Sequence, residues 1–141
     1  MLDTNVVSEL MRPSPTPAVV AWVDRQPAGE VWVTSMTAAE LLTGVALLPD
    51  GVRKQQLAAR MQTLLGEVFA DRVLPFDARA AVAYAGVVYA RRAAGTPIGA
   101  ADVTIAATCL AAEADVFATR NTADFTGTGL SLVDPWSTPL E

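Results

Sequence analysis

Five short β-type segments, Met1–Asp3, Val31–Thr34, Arg72–Leu74, Asp115–Thr119 and Leu130–Val133, alternate with helical stretches along the chain. That rhythm predicts an α/β domain whose parallel sheet carries helices on both faces, because parallel neighbours need a crossover between them. The first helix follows Asn5 and stops at Pro13 and Pro15; the second takes Thr16 as N-cap and Pro17 as its first residue, and runs to about Arg25. Thr37-Ala-Ala-Glu40 has the spacing of a capping box and opens a helix ending near Pro49. An amphipathic helix is expected from Gly51 to about Ala70, with Leu57, Met61, Leu64, Leu65 and Val68 on one stripe. Asp77 caps an alanine-rich helix through Arg92, the last long helix spans about Ala100 to Glu113, and residues 120–129 read as a polar loop.

A chain of 141 residues with 52% apolar content fits one domain spanning 1–141. Charged residues make up 18% of it and the apolar runs are too short to cross a bilayer, so neither disorder nor a membrane span is expected. No signal peptide precedes Asp3, and the single cysteine, Cys109, reads as a small buried apolar group in a reducing, cytoplasmic setting. The complete lack of histidine removes Ser-His-Asp, Cys-His and His-zinc chemistry. Catalysis must then rest on carboxylates, hydroxyls, arginines or a metal. A net charge of −5 disfavours nucleic acid unless the acids are gathered at a metal site.

Four carboxylates stand at strand C-terminal ends or at helix starts facing them: Asp3, Glu40, Asp102 and Asp124. If the strand order is 3-2-1-4-5, strands 1 and 4 flank the topological switch point, and Asp3 and Asp124 share its crevice. Each acid also has an ordinary reading. Asp3 fits an Asx turn or cap, Glu40 the second half of its capping box, Asp102 a first-turn helix charge and Asp124 a turn residue. Asp102, however, lies on the apolar stripe of Ile105, Ala106, Cys109 and Leu110, where an unpaired carboxylate needs a counter-charge. Carboxylates crowded into one crevice raise each other's pKa until a cation neutralises them, and oxygen ligands alone suit Mg²⁺ or Mn²⁺. Such a site suggests phosphodiester hydrolysis.

These residues carry a resemblance. The strings Leu-Asp-Thr-Asn-Val-Val-Ser-Glu-Leu at 2–10, Thr-Ala-Ala-Glu-Leu-Leu-Thr-Gly at 37–44 and Ile-Gly-Ala-Ala-Asp-Val-Thr-Ile-Ala-Ala at 98–107 occur in order along the chain. Ala-Thr-Arg-Asn-Thr-Ala-Asp-Phe-Thr-Gly-Thr-Gly at 118–129 and Val-Asp-Pro-Trp at 133–136 follow them. Together they resemble the PIN-domain ribonucleases, most closely the FitB-like VapC toxins of VapBC toxin–antitoxin pairs. The resemblance implies a PIN-like three-layer α/β/α domain with a five-stranded parallel sheet in the order 3-2-1-4-5. It implies that Asp3, Glu40, Asp102 and Asp124 bind the metal and catalyse RNA hydrolysis, with Thr4, Asn5, Thr119 and Asn121 in support. It also implies a homodimer and a VapB-like antitoxin that covers the site, often with an arginine against the acids. Surfaces around Trp22, Trp32 and Leu57–Leu65 are candidates for that partner, and Arg91, Arg92 and Arg120 for RNA phosphates. Family members carry a few more apolar residues before the first Asp, so the first strand is expected to be short.

Two other classes compete. A metal-dependent phosphatase or phosphotransferase would use Asp3 as nucleophile, but a haloacid-dehalogenase pattern wants Asp where Asn5 stands, and a receiver wants a lysine later than Lys54. A non-enzymatic interaction module would use the acids as caps. No Gly-x-Gly-x-x-Gly follows the first strand, which argues against a dinucleotide.

Overall fold

The computed structural model describes residues 1–139. Its elements are α1 (Thr4–Leu10), α2 (Pro17–Asp24), β1 (Val33–Thr34), α3 (Ser35–Ala46), α4 (Val52–Thr63), a π-helical turn (Leu64–Val68) and β2 (Val73–Leu74). They continue as α5 (Ala78–Ala93), α6 (Ala100–Ala111), β3 (Phe117–Ala118), α7 (Thr122–Phe125) and β4 (Leu132–Val133). The α/β alternation is as expected. The ladders are shorter: β1 pairs with β2 and β3 with β4, both in parallel. The first segment forms only an isolated parallel bridge, Leu2 to Ala118. It has no room for more, because α1 begins at Thr4, directly after Asp3. Bonds from Leu2 N to Trp32 O at 2.9 Å and from Asp3 N to Ala118 O at 2.9 Å hold that segment on both sides.

Apolar residues from both faces of β3 form the core. Neighbouring residues of a strand point oppositely. Thus Ala118 joins Leu2, Val6, Val33 and Leu41 in one cluster, while Phe117 joins Ile105, Cys109 and Phe125 in another. From Val103 to Cys109 most of α6 is buried, and its threonines are satisfied locally: Thr108 Oγ1 donates to Thr104 O at 2.8 Å. Cys109 is fully buried, which pushes its thiol up to about 12 and makes it a packing residue.

Several expected boundaries are corrected by local chemistry. Thr16 flanks α2, but its hydroxyl caps nothing; it donates to Glu9 Oε1 at 2.7 Å, and Thr16 N donates to the same oxygen at 2.8 Å. Helix α3 starts before Thr37, capped by Thr34, whose Oγ1 accepts from Thr37 N at 3.1 Å. Glu40 therefore belongs to the second turn and closes no capping box. Helix α4 is interrupted after Thr63, where the chain widens by one residue per turn and Phe69 N reaches Leu64 O at 2.8 Å. Val68 is left exposed instead of joining the stripe. The polar loop 120–129 contains the short helix α7, fixed by Phe125 packing at 4.7 Å between ring centroids on Phe117. Asp77 caps α5 as expected, accepting from Ala80 N at 2.9 Å.

Candidate functional site

Asp3 leaves the first segment just where α1 begins, so its carboxylate meets both a helix start and the end of β3. Its Oδ1 accepts from Thr4 N at 2.8 Å. Its Oδ2 accepts from Thr119 Oγ1 at 2.6 Å and Asn5 Nδ2 at 3.1 Å. Thr119 Oγ1 in turn accepts from Asn121 N at 3.0 Å, and Asn5 Oδ1 accepts from Arg120 N at 3.2 Å. Asp3 is thus the N-cap of α1 and the centre of a polar network; the two roles do not exclude each other.

An open cleft of about 520 Å³ is lined by Asp3, Glu40 and Asp102, together with Thr4, Asn5 and Asn121. Asp124 is exposed on α7 and is not among the lining residues. Its charge is nevertheless close enough to act on Asp3 and Asp102. The Asp3 carboxyl is pushed up by burial and further by Asp124, against the pull of its bonds to Thr119, Thr4 and Asn5. Burial also raises Glu40, followed by the charges of Asp3 and Asp102, with the Thr4 hydroxyl acting the other way. Asp102 is raised by burial, then by Asp3 and Asp124. The direction is the same for all three because burial disfavours each charge and the neighbouring carboxylates add to it. Among the described residues the ion pairs are Arg12 with Glu9 and Lys54 with Asp50, and neither involves these acids.

Among the described residues, no group of three or more carboxylate, histidine or cysteine side chains stands arranged to hold a metal ion as it is. The donor chemistry nonetheless fits one. Among the described residues Glu40 Oε1 and Thr4 Oγ1 are buried without a well-formed hydrogen bond, although the Thr4 hydroxyl faces Glu40 and lowers its carboxyl, and the acids around them repel one another. A hard divalent cation answers both conditions with oxygen ligands alone.

Sequence reading missed Ser8, Glu9 and Arg12, which also line the cleft. They follow Asn5 at i+3, i+4 and i+7, so helical spacing from Asn5 was the available signal. Of the arginines expected on RNA, Arg91 is buried, while Arg120 lies over the Trp136 ring at 5.2 Å. Trp22 and Trp32 line a separate cavity beside Met1 and Leu2, which shares no lining residue with the acidic cleft. Leu57 and Met61 line a groove of about 580 Å³ that shares Thr4, Ser8, Arg12 and Glu40 with the cleft.

Comparison with known proteins supplies the family. The model for the PIN domain matches residues 1–128. The chain is 40% identical to the VapC ribonuclease Y4jK of Sinorhizobium fredii, over 96% of each chain. It is 41% identical to Toxin FitB of Neisseria gonorrhoeae, over 96% of this chain and 97% of that one. The solved structure of FitAB bound to an IR36 DNA fragment superposes with a TM-score of 0.90 at 40% identity, covering 99% of this chain and 96% of the other. With its α/β alternation and with the family model matched from residue 1 to 128, the chain belongs to the PIN-domain family.

Proposed function

We propose that this protein is a Mg²⁺- or Mn²⁺-dependent endoribonuclease, the toxin of a pair whose VapB-like antitoxin blocks the acidic cleft. The observation that carries the reading is the cleft itself: Asp3, Glu40 and Asp102 line it with raised pKa values and, among the described residues, no ion pair. The relatives named as a VapC ribonuclease and a toxin support RNA as the substrate class and toxicity as the role. Asp3, Glu40, Asp102 and Asp124 are the groups we assign to the metal. Thr119 and Asn5 fix the Asp3 carboxylate, Asn121 fixes Thr119, and Thr4 faces Glu40. When bound, the ion supplies charge neutralisation and a more acidic water for attack on a phosphodiester. The chain's own residues, Thr119, Thr4 and Asn5, hold the Asp3 carboxylate in one orientation.

Further parts of the reading rest on particular observations. The groove of Leu57 and Met61 opens into the acidic cleft and suits an apolar antitoxin segment ending in a basic side chain, for which guanidinium is the matching counter-ion. The FitAB structure, 40% identical, supports a bound protein partner. A homodimer is supported by the apolar stripe on α5, where Val82 and Tyr89 are each 77% exposed. The order 3-2-1-4-5 of a five-stranded parallel sheet in a three-layer α/β/α domain is supported by the β1–β2 and β3–β4 pairs with Leu2 bonded between Trp32 and Ala118. We read 1–141 as one domain, working in the cytoplasm; among the described residues no helix is long and apolar enough to cross a membrane.

Cleavage of single-stranded RNA by the purified chain, with Mg²⁺ or Mn²⁺ and again with EDTA, tests the function. Cleavage should appear only with the metal. Full activity in EDTA, or activity on phosphomonoesters but not on RNA, would overturn it.

A further inference from the structure

We propose that Arg12 is a substrate-binding residue: at the edge of the acidic cleft its guanidinium grips a backbone phosphate of the RNA strand, beside the one being cut. This deepens the nuclease reading and rests on it. A cleft that gathers acids for a metal is by itself a poor receptor for a polyanion. Among the described residues that line it, Asp3, Glu9, Glu40 and Asp102 are acids and Arg12 is the one cation. Phosphates that the metal does not cover are repelled there, and a guanidinium fixed at the edge offsets that repulsion.

Arg12 lines both the cleft and the groove that opens into it, so it stands where the two join. Its aim is fixed from two sides. Arg12 N donates to Glu9 O at 3.1 Å, and Pro13 follows, which narrows the backbone freedom of the residue before it. Farther out, Arg12 Nη1 donates to Glu9 Oε2 at 3.1 Å. Glu9 is itself anchored, because its Oε1 accepts from Thr16 N at 2.8 Å and Thr16 Oγ1 at 2.7 Å. The bond to Glu9 leaves most of the guanidinium's N–H donors free, and the side chain is 65% exposed. Among the described residues it makes no other side-chain hydrogen bond. A planar fork with donors to spare suits a phosphate.

Glu9 has little need of Arg12. The Thr16 hydroxyl and then the Thr16 N–H do most to hold its carboxyl down, and Arg12 adds least. The pair thus aims the arginine more than it neutralises the acid, which makes Glu9 a positioning residue. Arg12 also lies just past Met11, the C-cap of α1, where a cation answers the helix dipole. That role alone would cost stability on removal and leave RNA binding as it was.

The test compares the full wild-type chain with Arg12→Ala, Arg12→Lys and Arg25→Ala, the last an exposed arginine that lines neither cleft nor groove. With single-stranded RNA in Mg²⁺, Arg12→Ala should raise KM about three- to tenfold at nearly unchanged kcat, the mark of a contact made alike in ground and transition states. In EDTA, where no cleavage is expected, anisotropy of a labelled single-stranded RNA at several salt concentrations reads the phosphate contact itself. The slope of log affinity against log salt should flatten by about 0.7 in Arg12→Ala, the share of one phosphate contact. Arg12→Lys keeps the charge and should keep the slope, and Arg25→Ala should match wild type in both assays. Should Arg12→Ala melt well below wild type, Arg12→Gln replaces it with the same expectation. An unchanged KM or salt slope in Arg12→Ala, or equal losses in Arg25→Ala, overturns the proposal, while wild-type cleavage keeps the nuclease reading. Binding that needs Arg12 in a wild type that never cleaves supports the grip and overturns the nuclease reading. A wild type that neither binds nor cleaves RNA overturns both.

Discussion

Thr119 Oγ1 donates to Asp3 Oδ2 at 2.6 Å, joining residues 116 positions apart in the chain. The bond ties the end of β3 to the start of α1 and sets the direction of the most buried acid in the cleft. Thr119→Val keeps the shape and removes the donor. It should cost about 1–3 kcal/mol, the range for a buried group that loses its partner, as read from urea unfolding. It should also raise the Asp3 carboxyl further, because that bond is the largest influence holding it down. A variant with wild-type stability and an unchanged Asp3 titration would mean the network is incidental.

A pH signature follows from the direction of the shifts. Asp3, Glu40 and Asp102 all have folded pKa values above their ordinary ones. Above the usual carboxylate range of about 3.9–4.3 the metal-free folded state therefore binds more protons than the unfolded one, and their contribution to stability falls as pH rises through the raised values. Glu9 runs the other way: held down chiefly by Thr16, it stabilises above the ordinary value and loses that contribution as pH falls. A divalent ion relieves the first group once the acids are ionised. The rise in melting temperature on adding Mg²⁺ should thus be larger near pH ~7 than near pH ~5. An equal rise at both would count against a carboxylate site.

Asp102→Asn separates a member of a repelling cluster from a helix-start charge. In EDTA the variant should be at least as stable as wild type, gain little from Mg²⁺, and cleave RNA only at background. If Asp102 served the helix dipole alone, the change would cost up to ~1 kcal/mol and leave metal response and cleavage as they were.

The groove makes a separate claim. Leu57 is half-buried along it, so Leu57→Glu should weaken capture by the antitoxin at least about tenfold, as expected for an apolar anchor, while RNA cleavage is retained. Undiminished complex formation in native mass spectrometry would move the docking site elsewhere.

What was legible in the sequence was what local chemistry decides. Asp77 as a cap, Pro17 at a helix start and the burial of Cys109 each depend on near neighbours or on apolar content. The misreadings share a cause, since in each a long-range or equivalent partner wins. Thr16 has the right chemistry for a cap, but the buried Glu9 carboxylate takes both its hydroxyl and its N–H. Thr34 is as good a cap as Thr37 and sits one turn earlier, where the strand ends. Helix α7 has too few residues for a periodic signal, and only the burial of Phe125 on Phe117 reveals it. For the site, Asp3 and Asp102 were legible from their places at element ends, and Glu40 from an expected helix start that the structure moves one turn earlier; these three line one cleft, which Asp124 does not. The cleft-lining face of α1 was legible only by following helical spacing from Asn5.

The most direct measurement is the rate of single-stranded RNA cleavage in Mg²⁺ by Asp3→Asn beside Asp24→Asn, an exposed acid remote in sequence from the cleft residues. Asp3→Asn should fall to background while Asp24→Asn cleaves like wild type, both with folded spectra. Wild-type cleavage by a folded Asp3→Asn would contradict the assignment of the cleft as the catalytic centre.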